Sequence, residues 1–177
     1  MISLNQLLES RDARAEHQKD LLGRFPGKSL LCLTVQLPGL EKRNEQSLAI
    51  AKAGVSTIRQ AFQPDYEELR DLETGYEGYF LVSLPALEAK RKAVEVEDNH
   101  PLGRLMDIDV LHGVLEENYF SSAGVKAISR EEIGLAPRRC LLCDNEVRYC
   151  MRAKTHTTSE LLERIKQILK EYELQTP

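Results

Sequence analysis

The sequence has no long hydrophobic run, and its formal net charge of −4 leaves no excess of basic residues. A membrane-spanning helix needs about 20 consecutive apolar residues, so we expect no membrane partner. Neutralising many phosphates requires a surplus of Lys and Arg, so we expect no nucleic-acid partner either. The first residues also lack the basic start and apolar core of a secretory signal. These absences predict a cytoplasmic protein.

Cysteine is scarce, with four residues in a chain of 177. In the reducing cytosol, cysteines usually serve as free thiols or metal ligands and seldom form disulfides. The hydrophobic content of 42% and the charged content of 29% are typical of an ordinary globular protein. A chain of this length can bury a core without cross-links, so we predict one domain over residues 1–177.

Hydrophobic periodicity and end signals predict helices interspersed with strands. The predicted helices cover residues 3–22, 44–53 and 159–173, and a further helical stretch follows Gly54 up to Phe62. The predicted strands cover residues 29–37, 79–84, 92–98 and 106–112. From 121 to 137 the pattern is weak. Strands mixed with helices predict an α+β fold.

Two aspartates, Asp107 and Asp109, stand at alternate positions of a predicted strand, where Asp is disfavoured. Alternate strand residues point to the same face about 6.6 Å apart, so their carboxylates can bind a hard cation such as Mg²⁺. Such an ion bridges polyphosphate oxygens and aligns an attacking hydroxyl. The strand predicted at 92–98 offers Glu97 as a third ligand or as the base. The alternative is an acidic strand face that simply meets water.

A second candidate site combines cysteine, histidine and basic residues near the end of the chain. Cys140, Cys143, Cys150 and His156 have the spacing of a Cys3His zinc site. Arginines among them suit phosphate because a guanidinium binds it with two donors. The interleaved cations are Arg138, Arg139, Arg148, Arg152 and Lys154. Two alternatives stay open: cysteines that pack as small hydrophobes, and cations that form a solvated face.

Several segments together resemble one enzyme family. HPLGRLMDIDVL (100–111), PRRCLLC (137–143) and CMRAKTH (150–156) resemble the holo-citrate lyase synthases, also called apo-citrate lyase phosphoribosyl-dephospho-CoA transferases. LLESRDARAEHQ and LLCLTVQLPG resemble the family's N-terminal features, and HTTSELLERI resembles its C-terminal helix. The resemblance runs over nearly the whole chain in order. The combination is specific, although each block alone is a weak signal.

The resemblance implies transfer of a prosthetic group from 2′-(5″-triphosphoribosyl)-3′-dephospho-CoA to a serine of the citrate lyase acyl carrier (gamma) subunit, with release of pyrophosphate. It implies a nucleotidyltransferase-like mixed or antiparallel sheet with flanking helices, and Mg²⁺ on Asp107 and Asp109. The expected phosphate-binding residues are His100, Gly103, Arg104, Arg138, Arg139, Arg152 and Lys154. His100 has an alternative role as a cap of the turn before the strand.

The chain departs from the usual nucleotidyltransferase pattern in one respect. A clear Gly-Ser motif well upstream of the aspartates is missing, and Gly103-Arg104 lies much closer to them. We therefore expect a phosphate cradle that is built differently. Two other functions remain open at this point: another Mg²⁺-dependent nucleotidyltransferase, such as one that modifies the malonate decarboxylase carrier, and a noncatalytic zinc-bearing module that binds a carrier protein.

Overall fold

The computed structural model describes residues 2–114 and 124–175, which form helices around one five-stranded antiparallel sheet. The helices are α1 (Leu4–Arg24), α2 (Glu45–Phe62), α3 (Ala86–Asn99), α4 (Val147–Ala153) and α5 (Thr158–Gln175). The strands are β1 (Ser29–Val35), β2 (Tyr66–Leu72), β3 (Gly75–Val82), β4 (Met106–Val114) and β5 (Gly124–Ala127). Short 3-10 turns occur at Gly103–Leu105 and Glu131–Ile133. None of the described helices is long and apolar enough to cross a membrane.

The sheet has the strand order β2-β3-β1-β4-β5, so the hydrophobic β1 lies at its centre. The main core fills the face covered by α2, α3 and α5, where Leu31, Leu33 and Ile108 are buried. A smaller cluster on the opposite face packs Leu21 and Leu22 of α1 onto the sheet. Because side chains alternate along a strand, neighbouring residues of β4 are divided between these two faces.

Most of the predicted elements are confirmed. Ser3 and Gln6 form the capping box of α1, and the side chains of Thr157 and Glu160 exchange hydrogen bonds with each other's backbone N–H groups at the start of α5. The predictions for 29–37 and 106–112 correspond to β1 and β4, and the prediction for 79–84 corresponds to the second half of β3. In each case a strong apolar period agrees with the end signals, which is when local patterns are most informative.

The strand predicted at 92–98 is wrong, because these residues belong to helix α3. The segment alternates apolar and acidic residues, but the face of α3 that is buried consists of Ala89, Lys90, Ala93, Val94 and Glu97, which is a helical spacing. Glu97 is therefore not on a strand beside the aspartates: it is buried on α3, whereas Glu95 is exposed.

Gly54 does not end the second helix, since α2 runs unbroken to Phe62. A Cβ at Gly54 would lie 2.9 Å from Cδ2 of Leu33, so glycine allows α2 to approach β1 closely. The sequence pattern also missed β2, an edge strand whose residues alternate between half-buried and exposed. In the weak segment, residues 121–123 lie outside the described part, and β5 follows them.

Candidate active site and metal site

Asp107 and Asp109 lie on β4 and share the face of the sheet that α1 partly covers. The register pairs Asp107 with Thr34 and Asp109 with Cys32 on the central strand, and Cys32 packs in the cluster beneath α1. Asp107 is half-buried, while Asp109 is exposed. The hydrophobic neighbours Met106, Ile108 and Val110 point into the main core. This alternation fixes the direction of both carboxylates, as the sequence predicts.

The pKa of Asp109 is raised, first because surrounding protein reduces its hydration and then because Asp107 carries the same charge. Its ionisation at neutral pH therefore weakens the metal-free fold. We expect Asp109→Asn to stabilise metal-free protein at pH 7 by about 0.5 kcal/mol, a modest gain for a carboxylate that keeps contact with water. The gain should disappear below the ordinary pKa of 3.8, where both the folded and unfolded carboxyls are protonated.

Urea unfolding of the wild type and of Asp109→Asn in EDTA, repeated at several pH values, measures this difference. A variant that is less stable than the wild type at neutral pH would show that the Asp109 charge is favourable in the folded state. Asp98→Asn is the matched control, since the carboxylate of Asp98 is exposed and pairs with Arg130. Removing that charge should not stabilise the protein.

Among the described residues, β5 pairs only with the end of β4 from Leu111 to Val114, and side chains cover the outer edge of β4 before it. The Ile108 N–H donates to Oε1 of Glu97 at 2.8 Å, and Nζ of Lys90 donates to the Ile108 carbonyl at 3.2 Å. Arg138 donates to the carbonyl of Met106 at 3.0 Å. Buried backbone groups require such partners, so these three side chains take the place of a strand neighbour beside the aspartates.

Arg138 links the acidic pair to Glu97. Its Nη2 lies 2.5 Å from Oε1 of Glu97, and its Nη1 lies 3.6 Å from Oδ1 of Asp107. Burial alone would lower the pKa of Arg138, but Glu97 and the two aspartates raise it. A second arginine, Arg130, approaches the other oxygen of Glu97 at 3.7 Å. The Glu97 carboxylate is 4% exposed and is thus occupied by a backbone N–H and two guanidinium groups.

A cleft of about 320 Å³ opens next to this ion pair, and four arginines line it. Glu97 and Asp98 are its acidic groups, so positive charge exceeds negative charge by two. Its remaining walls come from Gly103 and the segment 135–137. The arginines are Arg104, Arg130, Arg138 and Arg139. Clefts of this size and charge suit a phosphate-bearing ligand.

Gly103 occupies a position that no other residue can fill without movement of the backbone. A Cβ there would lie 2.1 Å from the carbonyl oxygen of Glu97. The neighbouring His100 accepts the Leu102 N–H on Nδ1 at 3.0 Å, and its ring lies 5.7 Å from that of Tyr172. Burial lowers the pKa of His100. These contacts favour the turn-capping interpretation of His100 over a role in phosphate binding.

The four predicted zinc ligands come together although they are spread over 17 positions, from 140 to 156. One ligand atom of each residue lies within 4.8 Å of every other, in a Cys3His cluster formed by Cys140, Cys143, Cys150 and His156. The Sγ atoms of Cys143 and Cys150 are 3.5 Å apart, and Nε2 of His156 is 3.3 Å from Sγ of Cys143. Tetrahedral zinc with Zn–S bonds of about 2.3 Å separates its sulfurs by about 3.8 Å. The cluster could therefore hold a metal with little movement.

The backbone around the first two cysteines is shaped for thiolate ligands. Burial raises the pKa of Cys140, but hydrogen bonds from the N–H groups of Leu142 and Cys143 and from the thiols of Cys150 and Cys143 together lower it overall. The Leu142 N–H lies 3.5 Å from the Cys140 sulfur. Cys32, the remaining cysteine, lies in the sheet, where burial raises its pKa to about 12. It is separate from the Cys3His cluster.

Two predicted phosphate-binding residues, Arg152 and Lys154, lie at the end of α4 and its C-cap, and both are exposed. They are not among the residues that line the arginine cleft. The structure thus brings together Gly103, Arg104, Arg138 and Arg139 and leaves Arg152 and Lys154 on the surface beside the Cys3His cluster.

Comparison with known proteins gives the family. A family model described as "Apo-citrate lyase phosphoribosyl-dephospho-CoA transferase" matches residues 2–172. The chain belongs to this family. A protein of that name from Escherichia coli O7:K1 is 36% identical over 173 residues, which cover 95% of this chain and 88% of the relative. A "probable" member from Streptococcus pyogenes serotype M3 is 36% identical over 171 residues, covering 95% and 85%.

In this member of the phosphoribosyl-dephospho-CoA transferase family, two polar residues near the site are not predicted by any sequence pattern. Arg130 enters the cleft from the short turn before Glu131–Ile133, in a segment whose pattern is weak. Glu77 lies on the same sheet face as Asp107, two strands away through Thr34. It is buried, accepts the Tyr79 hydroxyl at 2.5 Å and lies 3.7 Å from Arg14. A buried glutamate in a strand has no local signal.

Proposed function

We propose that residues 1–177 form one transferase domain that attaches the 5″-phosphoribosyl-3′-dephospho-CoA group to a serine of the citrate lyase acyl carrier (gamma) subunit. Membership of the family and the names of the relatives support this function. The structural observation that carries it is the contact of Arg138 with both Asp107 and the cleft, because it joins a cation site to an anion site. The reactants, a CoA derivative and a carrier, are consistent with a cytoplasmic enzyme.

The reaction is a displacement at phosphorus. The serine oxygen of the carrier forms a bond to the α-phosphorus of 2′-(5″-triphosphoribosyl)-3′-dephospho-CoA, the hydroxyl proton is released, and the bond to pyrophosphate breaks. Positioning and neutralisation of charge dominate the catalysis of such transfers. The protein therefore has to hold the triphosphate, stabilise the leaving pyrophosphate and admit the carrier serine.

Asp107 and Asp109 fit Mg²⁺, since both are carboxylates on one strand face and one of them is open to solvent. Bound there, Mg²⁺ would neutralise charge on the phosphates. Arg138 would orient the Asp107 carboxylate from the side of the cleft, and Arg104 and Arg139 would hold the donor's terminal phosphates. This division of roles puts the cation site on the strand and the anion site on the segments that follow α3.

The surroundings of Glu97 support a positioning role. Its oxygens are engaged by Ile108 N–H, Arg138 and Arg130, so ligation of Mg²⁺ would break an existing ion pair. We propose that Glu97 fixes Arg138 at the edge of β4. We further propose that the antiparallel sheet with its paired aspartates acts as a nucleotidyltransferase-like scaffold, and that the Cys3His cluster holds structural zinc because three thiolates and an imidazole suit that ion.

The test is a transfer assay with purified protein, apo acyl carrier subunit, the triphosphoribosyl donor and Mg²⁺. We expect intact-protein mass spectrometry of the carrier to show addition of one phosphoribosyl-dephospho-CoA group, and EDTA to prevent it. A carrier whose serine is replaced by alanine is the control for the site of attachment. If the folded protein modifies only a malonate decarboxylase-type carrier, the citrate lyase carrier is not its substrate. If it binds the carrier without releasing pyrophosphate, it is not a transferase.

A further inference from the structure

The segment from 134 to 160 has almost no hydrophobic anchor of its own. Its only buried residues are Cys140 and Cys150, and Leu141 is a partly buried residue that packs against the main core. Two backbone hydrogen bonds fold part of it into a short hairpin. The Cys140 N–H donates to the carbonyl of Asn145 at 2.7 Å, and the Val147 N–H donates to the carbonyl of Arg138 at 2.9 Å. Isolated hairpins and a seven-residue helix such as α4 are not stable alone. Polar contacts of Arg138 and Arg104, rather than apolar packing, therefore tie this segment to the rest of the protein, and a cross-link between its cysteines would add to its order.

The same segment forms one wall of the arginine cleft. Arg138 and Arg139 directly precede Cys140 in the chain, and residues 135–137 line the cleft before them. Arg104, on the opposite wall, donates to the carbonyls of Arg139 at 2.5 Å and of Cys140 at 3.3 Å. The backbone that carries the first cysteine is thus the backbone that faces Arg104. A shift of Cys140 would therefore move the backbone that Arg104 binds.

The cleft also holds positive charge that the protein itself does not fully compensate. Its four arginines, Arg104, Arg130, Arg138 and Arg139, line the cleft together with only two carboxylates, those of Glu97 and Asp98. In the part of the chain that the structure describes, Nη1 of Arg130 is the one buried side-chain nitrogen or oxygen without a hydrogen-bond partner. It lies 3.7 Å from Glu97, which is an ionic contact without a hydrogen bond. A polyanion in the cleft would compensate the excess positive charge and accept a hydrogen bond from Arg130.

We propose that zinc bound by the Cys3His cluster assembles the arginine cleft as a site for condensed phosphate, with Arg130 as a member of that site. Zinc holds the 134–147 wall against α3, so that Arg138 and Arg139 face Arg104 and Arg130 across the cleft. Without zinc the wall loosens and the four guanidinium groups separate. The inference rests on the proposed function for the identity of the phosphate ligand, the triphosphate of the donor and its pyrophosphate product. Beyond that function, it makes binding of the donor's phosphates dependent on zinc in the Cys3His cluster.

The experiment measures binding of inorganic pyrophosphate without Mg²⁺, carrier or donor. Isothermal titration calorimetry compares protein purified without chelators, whose zinc is quantified by elemental analysis, with zinc-stripped protein and with Cys143→Ser. We expect about one zinc per chain and a loss of pyrophosphate affinity of at least tenfold in the stripped protein and in the variant. Arg130→Gln should lose affinity with zinc retained. Arg148→Gln, an exposed cation near the cluster, is the matched control and should bind normally.

Hydrogen exchange separates a local effect from global unfolding. On zinc removal we expect loss of protection in residues 134–160, while the amides of β1, β3 and β4 remain protected. The proposal is overturned if the purified protein contains no zinc, if stripped protein binds pyrophosphate as tightly as loaded protein, or if stripping exposes the whole sheet. Because none of these readouts uses transfer, they stand even if the donor or carrier differs from the proposed one. Normal transfer with zinc-independent pyrophosphate binding would overturn this inference alone.

Discussion

Asp107→Asn is expected to lower the rate of prosthetic-group transfer by about 10³-fold and to leave the fold intact. The amide has the shape of the carboxylate, so β4 and its pairing with Thr34 on β1 are preserved. It lacks the negative charge that would hold Mg²⁺ under the proposed function. The ion would stabilise the transition state by several kcal/mol, and each factor of ten in rate corresponds to about 1.4 kcal/mol. Initial rates at saturating donor, followed by intact mass of the carrier, measure the loss.

The matched control for Asp107→Asn is Glu95→Gln, which removes one carboxylate from the exposed face of α3. This control should transfer at the wild-type rate. Equal urea midpoints for the wild type and Asp107→Asn would show that the lost activity does not reflect unfolding. Should Asp107→Asn retain activity within a few-fold, Asp107 does not ligate the metal. Carrier binding without any dependence on Asp107 would favour the noncatalytic carrier-binding module.

Glu97→Gln is expected to destabilise the protein by about 3 kcal/mol, the largest effect on stability that we predict. The amide can still accept the Ile108 N–H, but Arg138 at 2.5 Å and Arg130 at 3.7 Å lose their shared buried carboxylate. They keep only the more exposed Asp107 and Asp98 as partners. Removing one partner of a buried ion pair leaves an uncompensated charge and typically costs 3–5 kcal/mol. Because Arg130 and Arg138 keep 18% of their side chains exposed, the lower end of this range applies.

Kinetics of the same variant distinguish the two roles of Glu97. A positioning role predicts a higher KM for the donor, because Arg138 is no longer fixed, and a smaller change in kcat at saturating donor. A metal ligand or general base would instead lower kcat by a factor of about 10² or more with little change in stability. Urea unfolding together with steady-state kinetics of Glu97→Gln and Glu95→Gln decides between them, since Glu95 lies on the same helix and is exposed.

The strand prediction at 92–98 is wrong for a clear physical reason. Val94 and Val96 alternate with Glu95 and Glu97, which satisfies the strand period, but Ala89, Ala93 and Val94 satisfy the helical period equally well. A sequence pattern treats a glutamate as a surface residue. Glu97 is buried because Arg130 and Arg138, more than thirty positions later, neutralise it. No local window contains both the acid and its partners.

The Cys3His cluster, in contrast, is a grouping that local spacing predicts correctly. The Cys-x-x-Cys spacing and the later cysteine and histidine predict one site because a turn brings the first pair together over a short distance. The hairpin between Arg138 and Val147 and the short helix α4 then deliver the remaining ligands to it. The neighbouring cations gave a weaker signal, since spacing does not show which of them face inward. Arg138 is half-buried and Arg139 is exposed, yet both line the cleft, whereas Arg152 and Lys154 are exposed and do not line it.

Residue patterns alone were enough to predict the capping boxes of α1 and α5, strands β1 and β4, the common face of Asp107 and Asp109, the grouping of the three cysteines with His156, and the family resemblance. The caps, the strands and the common face depend on neighbours within about ten positions, where side-chain period and turn geometry dominate, and the cysteines and the histidine follow one another at short spacings. The packed chain is needed to see that Glu97 is a buried partner of arginines, that Arg130 belongs to the cleft and that Gly103 lies against the backbone of Glu97. Burial and charge compensation between distant segments arise when the chain packs, and no local pattern records them.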